Sequence, residues 1–170
     1  NADGSIDYLG LERLTNHLVD GGVNYLVVMG TTGENPTINN EEQQAILQKV
    51  IEINARRLPI VFGIGGNSTA AVVERLKSEN LEGVDGILCV SPYYNKPSQE
   101  GIYQHYKAVS DATPLPVIMY NVPGRTGSLV SAETTLRIAQ LPNIVCTKEA
   151  SGSLDICMDV IRGAPEDFGV

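Results

Sequence analysis

Residues 116–149 read PVIMYNVPGRTGSLVSAETTLRIAQLPNIVCTKE. An apolar run, 116–120, ends in a polar cluster that holds Asn121, Arg125 and Thr126. Ser131 then opens a helical pattern carrying Leu136 and Ile138, and a second apolar run, 143–147, ends in Lys148 and Glu149. Neither run alternates polar with apolar. Such runs suit strands buried on both faces of a parallel sheet. The stretch is one strand–helix–strand unit, and its repetition decides the fold.

Working outward, apolar runs recur at 25–29, 59–62 and 86–90, and a sixth begins at Phe168. Helical patterns separate them. Leu11, Leu14 and Leu18 form a stripe that stops at Gly21-Gly22, a glycine terminator. Asn39 and Glu42 form a capping pair before Ile46, Leu47 and Val50. Asn67 or Ser68 precedes Val72 and Leu76, Ser98 precedes Ile102, Tyr106 and Val109, and Ser151 or Ser153 precedes Leu154, Met158 and Ile161. Strict alternation of strand and helix means an α/β fold with a parallel sheet. Two architectures fit: an open doubly wound sheet, or a (β/α)8 barrel, which typically needs about 250 residues.

Composition narrows the function. With 42% hydrophobic residues, the 170-residue chain can bury the core of one domain. A net charge of −8 and a pI near 4.7 argue against nucleic-acid binding. No apolar run is long enough for a membrane span, and no secretory signal is expected at the start. Cys89, Cys146 and Cys157 lack metal-ligand spacing and are read as reduced, mostly buried thiols of a cytoplasmic protein. His17 and His105 are read as helix-surface residues, and no metal is expected. Residues 63–66 look like a dinucleotide loop but lack the third glycine and the following acid, so NAD is rejected.

The chemistry-bearing residues gather where strands end, the face on which parallel α/β folds bind ligands. Thr31 and Thr32 stand between glycines, either as an anion cradle or as a tight turn. Tyr94 and Tyr120 are either acid–base phenols or amphipathic rim residues. Lys148 closes a strand expected to be buried. Partial desolvation there would favour the neutral amine, which attacks carbonyls to form a Schiff base. The alternative is a rim lysine paired with Glu149.

Four motifs, Gly30-Thr31-Thr32-Gly33-Glu34, Ser91-Pro92-Tyr93-Tyr94-Asn95, Tyr120-Asn121-Val122-Pro123-Gly124-Arg125-Thr126-Gly127 and Thr147-Lys148-Glu149-Ala150, occur in order. Together they resemble the 4-hydroxy-tetrahydrodipicolinate synthase (dihydrodipicolinate synthase) family, in the class I aldolase group that includes N-acetylneuraminate lyase. The likeness covers essentially the whole chain. It implies a (β/α)8 TIM barrel, present here as an incomplete barrel of about strands 2 to 6 with their helices. Residues 1–170 would then be a partial catalytic domain lacking the first strand, the last two βα units and the C-terminal helices. It also implies a lyase of lysine and diaminopimelate biosynthesis that condenses pyruvate with aspartate 4-semialdehyde, without a cofactor, as a homotetramer of tight dimers.

The resemblance also assigns residues. Lys148 would form the Schiff base with pyruvate, and Tyr120 would carry protons beside it. Thr32 would link Tyr120 to Tyr94, which would reach a neighbouring subunit's site. Thr31 and Thr32 would hold the pyruvate carboxylate, and Arg125 that of the semialdehyde. Asn67 and Tyr93 match a lysine-effector pocket. Feedback-sensitive members often carry a histidine at the position of Gln43 and an acid at that of Ala71, so weak lysine inhibition is expected. Arg125 separates the synthase from N-acetylneuraminate lyase, which shares the lysine and tyrosine. A truncated inactive fragment and a keto-acid-binding protein are the other readings.

Overall fold

The computed structural model describes residues 1–170, and its strands fall on the apolar runs. The chain forms two compact units. The first holds residues 1–63 and 79–85. Helix α1 (Tyr8–Asp20) is capped by the Asp7 carboxylate, which accepts from Gly10 N, and stops at Gly21. Strand β1 (Leu26–Val28) pairs in parallel with β2 (Ile60–Gly63). Between them lie two 3₁₀ turns, Thr31–Gly33 and Asn35–Thr37, and helix α2 (Asn40–Asn54). The Asn39–Glu42 capping box forms in both directions. Gly63 is required, because a Cβ there would sit 2.1 Å from the Met29 carbonyl oxygen. The leucine stripe of α1 departs from expectation. Leu14 is 53% exposed, and Leu11, Leu14 and Leu18 line an open groove along β1 of about 520 Å³ instead of a closed seam.

The second unit holds residues 64–78 and 86–170. Helix α3 (Thr69–Ser78) precedes a parallel sheet of β3 (Gly86–Val90), β4 (Val117–Asn121) and β5 (Ile144–Glu149). Helix α4 (Gln99–Ala112) joins the first pair of strands. The one-turn helix α5 (Pro123–Thr126) and α6 (Ala132–Ile138) join the second pair. Helix α7 (Leu154–Gly163) follows β5. Ser98, Ser131 and Ser153 cap their helices as expected. The sixth run pairs with β5 only through Gly169, whose N–H donates to Val145 O at 2.9 Å and whose carbonyl accepts from Thr147 N at 2.9 Å. No helix is long and apolar enough to cross a membrane.

The structure corrects the reading of His105, which is 2% exposed. Its place on the apolar stripe of Ile102, Tyr106 and Val109 turns it into the unit. Thr69 Oγ1 lies 2.9 Å from His105 Nδ1, and Cys89 Sγ lies 3.8 Å from Nε2. Burial lowers the His105 pKa to about 4 and pushes the Cys89 thiol up to about 12. The unfolded chain therefore binds the extra proton first as pH falls. The stabilisation from neutral His105 is complete above about pH 6.5 and is lost as pH drops toward about 4, a change of about 3 kcal/mol. Denaturant unfolding at pH 7 and pH 4.5 should show this loss, and His105→Gln should flatten it. An unchanged pH dependence in the variant would refute the assignment.

Candidate active site

Strands β4 and β5 run side by side, so Tyr120 is the register partner of Lys148 and Asn121 that of Glu149. This pairing carries β5 two residues beyond the expected run. Lys148 Nζ stands 4.3 Å from the centroid of the Tyr120 ring. An ammonium at that distance is attracted to the ring face. Tyr120 is only 7% exposed, and its backbone N–H faces the hydroxyl of the fully buried Tyr106 at 3.4 Å.

Two expectations about Lys148 change. Lys148 is exposed, although Ile144 and Thr147 on the same strand are buried. The pairing with Glu149 is also not what the carboxylate does. Successive residues of a strand point to opposite faces. Glu149 Oε2 accepts from Asn121 Nδ2 at 2.8 Å, and Oε1 accepts from Ser151 N at 2.8 Å.

Arg125 lies on α5, which Pro123 opens without needing an N–H partner. Its guanidinium side is exposed, while neighbouring Thr126 is buried and donates its hydroxyl to Ser128 O at 2.8 Å. The carbonyl of Thr126 accepts from Tyr94 N at 3.2 Å. Tyr94 is 86% exposed and has φ +74°, a left-handed conformation that a bulky residue keeps only when its surroundings hold it. Asn95 supplies a second hold, donating Nδ2 to Asn67 O at 3.0 Å. The structure thus joins the Tyr93–Tyr94 loop to the segments bearing Arg125 and Asn67.

Thr31 and Thr32 belong to the first unit, where both are exposed on the 3₁₀ turn after β1. Asn35 donates Nδ2 to Met29 O at 3.0 Å and so ties this loop to the strand end. Gln43 is 4% exposed and donates Nε2 to Asn35 Oδ1 at 2.9 Å and to Ile38 O at 2.8 Å. Its role here is to brace the loop. No group of three or more potential metal ligands is present.

The residue that sequence reasoning passed over is Asn121. It is fully buried, yet its amide makes three hydrogen bonds. An uncharged polar residue at the end of an apolar run was the available signal.

Comparison with known proteins gives the family and the fold. The model of the dihydrodipicolinate synthetase family matches residues 1–170. The 4-hydroxy-tetrahydrodipicolinate synthase of Parabacteroides distasonis is 54% identical over 99% of this chain, which covers 57% of that protein. The crystal structure of a dihydrodipicolinate synthase from Bacillus anthracis superposes with a TM-score of 0.94 at 42% identity, over 99% of this chain and 57% of that one. The Acinetobacter baumannii synthase, solved in complex with pyruvate, matches with a TM-score of 0.89 at 42% identity, over 95% of this chain and 57% of that one. The chain thus spans a little over half the length of these relatives. Its fold is part of a (β/α)8 barrel, and the chain belongs to the dihydrodipicolinate synthetase family.

Proposed function

We propose that this chain is the larger part of the catalytic barrel of a 4-hydroxy-tetrahydrodipicolinate synthase. In this reading the first strand, the last two βα units and the C-terminal helices lie outside residues 1–170. The enzyme joins pyruvate to aspartate 4-semialdehyde in the cytoplasm, on the route to diaminopimelate and lysine, and needs no cofactor. The observation that carries this reading is the Lys148 amine held 4.3 Å from the Tyr120 ring centroid.

The chemistry follows from the residue types. The neutral Lys148 amine adds to the ketone carbon of pyruvate. The resulting carbinolamine loses its hydroxyl as water when a weak acid protonates it, and the Tyr120 phenol is that acid. The Tyr120 phenolate left by that step takes a methyl proton from the protonated imine, which restores the phenol and gives an enamine, whose carbon attacks the aldehyde of the second substrate. Thr31 and Thr32 hold the pyruvate carboxylate with hydroxyl and backbone donors, and Thr32 relays protons between Tyr120 and Tyr94. Arg125 binds the semialdehyde carboxylate through its paired donors, which distinguishes this site from a sialic-acid aldolase. Tyr94, strained and exposed, completes the site of a neighbouring subunit in a homotetramer.

Borohydride with pyruvate should reduce the imine and leave a stable adduct on the peptide containing Lys148 of the full-length enzyme. An adduct on another residue, or none, overturns the reading. Regulation gives a further expectation. Asn67 and Tyr93 form part of a lysine-effector pocket, but Ala71 supplies no carboxylate for the effector's ammonium and Gln43 is engaged in bracing its loop. Millimolar lysine should leave turnover nearly unchanged, and strong inhibition in a steady-state assay would refute this.

A further inference from the structure

The hydrogen bonds of Asn121 join two parts of the site. Oδ1 accepts from Val130 N at 3.1 Å, and Nδ2 donates to Val130 O at 3.1 Å. This two-point clasp closes the segment that runs from Asn121 through Arg125 to Val130. The second Nδ2 hydrogen goes to Glu149 Oε2 at 2.8 Å, and the Asn121 carbonyl accepts from Ala150 N at 2.8 Å. Both contacts grip the chain just after Lys148. Gln99 on α4 holds the far end of the same segment, donating Nε2 to Leu129 O at 2.7 Å and accepting from Ser131 N at 3.0 Å.

Only an asparagine satisfies this arrangement. Val130 requires one acceptor and one donor, and Glu149 requires a second donor from the same amide. Aspartate lacks both donors and would set two carboxylates against each other. An apolar residue would leave the Val130 backbone and the Glu149 carboxylate short of partners in a buried place, which is costly.

We propose that Asn121 is a positioning residue that sets the Arg125 segment against the strand bearing Lys148. Arg125 receives its substrate where the Lys148 enamine can reach the aldehyde. The proposal rests on the synthase reading and deepens it. Asn121 touches no substrate. It acts through the Val130 clasp on Arg125 and through Glu149 on β5. Loosening it should therefore weaken use of the second substrate while leaving capture of the first.

The test uses the full-length enzyme with steady-state kinetics for each substrate and borohydride trapping. Asn121→Asp should raise KM for aspartate 4-semialdehyde by about 10- to 100-fold, the scale of a misplacement near 1 Å. Pyruvate trapping on Lys148 should stay within about threefold of the unmodified enzyme, a difference too small to reflect loss of a binding group. Adding Glu149→Gln to Asn121→Asp restores a donor opposite the new carboxylate and should recover about tenfold of the loss. Glu149→Ala, at a half-buried site, should raise the same KM several-fold and retain the fold. Equal loss of both substrates, absence of recovery in the double variant, or an unchanged semialdehyde KM in Glu149→Ala overturns the proposal, even if Asn121→Asp fails to fold. Failure of the unmodified enzyme to trap pyruvate would instead overturn the synthase reading.

Discussion

Lys148→Ala in the full-length enzyme is expected to lose turnover by at least about 10⁴-fold and to abolish borohydride trapping of pyruvate. The amine forms the covalent bond on which each later step depends, so no neighbouring group substitutes for it. Lys148 is exposed and lies at the end of β5, and its removal takes away no buried contact that the strand needs. The variant should therefore fold, with a thermal midpoint close to that of the parent. Activity within about tenfold of the parent would remove Lys148 from the mechanism, since loss of a covalent nucleophile costs far more. Lys148→Arg is a useful companion. It keeps a cation near the Tyr120 ring, but guanidinium stays protonated and cannot form the imine.

Tyr120→Phe carries the second largest effect, a fall in kcat of about 10²- to 10⁴-fold, the usual worth of a positioned proton donor. Phenylalanine keeps the ring that packs beside Lys148 Nζ and keeps the backbone N–H that faces Tyr106. Only the hydroxyl is lost, so the comparison isolates proton transfer from packing. Imine formation should slow while the adduct still forms at long times, which trapping against time would show. A kcat within about threefold of the parent would assign Tyr120 to packing alone, because general acid catalysis is worth far more.

Residue order carries these predictions only so far. The strands appear where apolar runs were read, and Ser98, Ser131, Ser153 and the Asn39–Glu42 pair cap the helices assigned to them. Those signals are local, spread over a few neighbouring residues. His105 was misread because a polar residue in a helix suggests a wet face. Its position between Ile102 and Val109 gave the other answer, and Thr69 satisfies its ring nitrogen inside the unit. The Lys148–Glu149 pairing was misread because adjacency in sequence suggests contact. The pleat of a strand sends neighbours to opposite faces.

The amino-acid sequence by itself determined the alternation of strand and helix, the gathering of polar residues at strand ends, and the family. Each follows from short-range pattern: hydrophobic runs, caps and motifs read within a dozen residues. Tertiary structure alone decided how Lys148 Nζ faces the Tyr120 ring, that Glu149 turns to Asn121, and that Asn121 closes the Arg125 segment. These contacts span 28 residues for the first two, and depend on the register of β4 against β5, including a shift between Val117 and Ile118. Lys148 is also exposed at the end of a strand that was read as buried. A buried-strand pattern describes the residues leading to a side chain, while its exposure is set by what packs over its end.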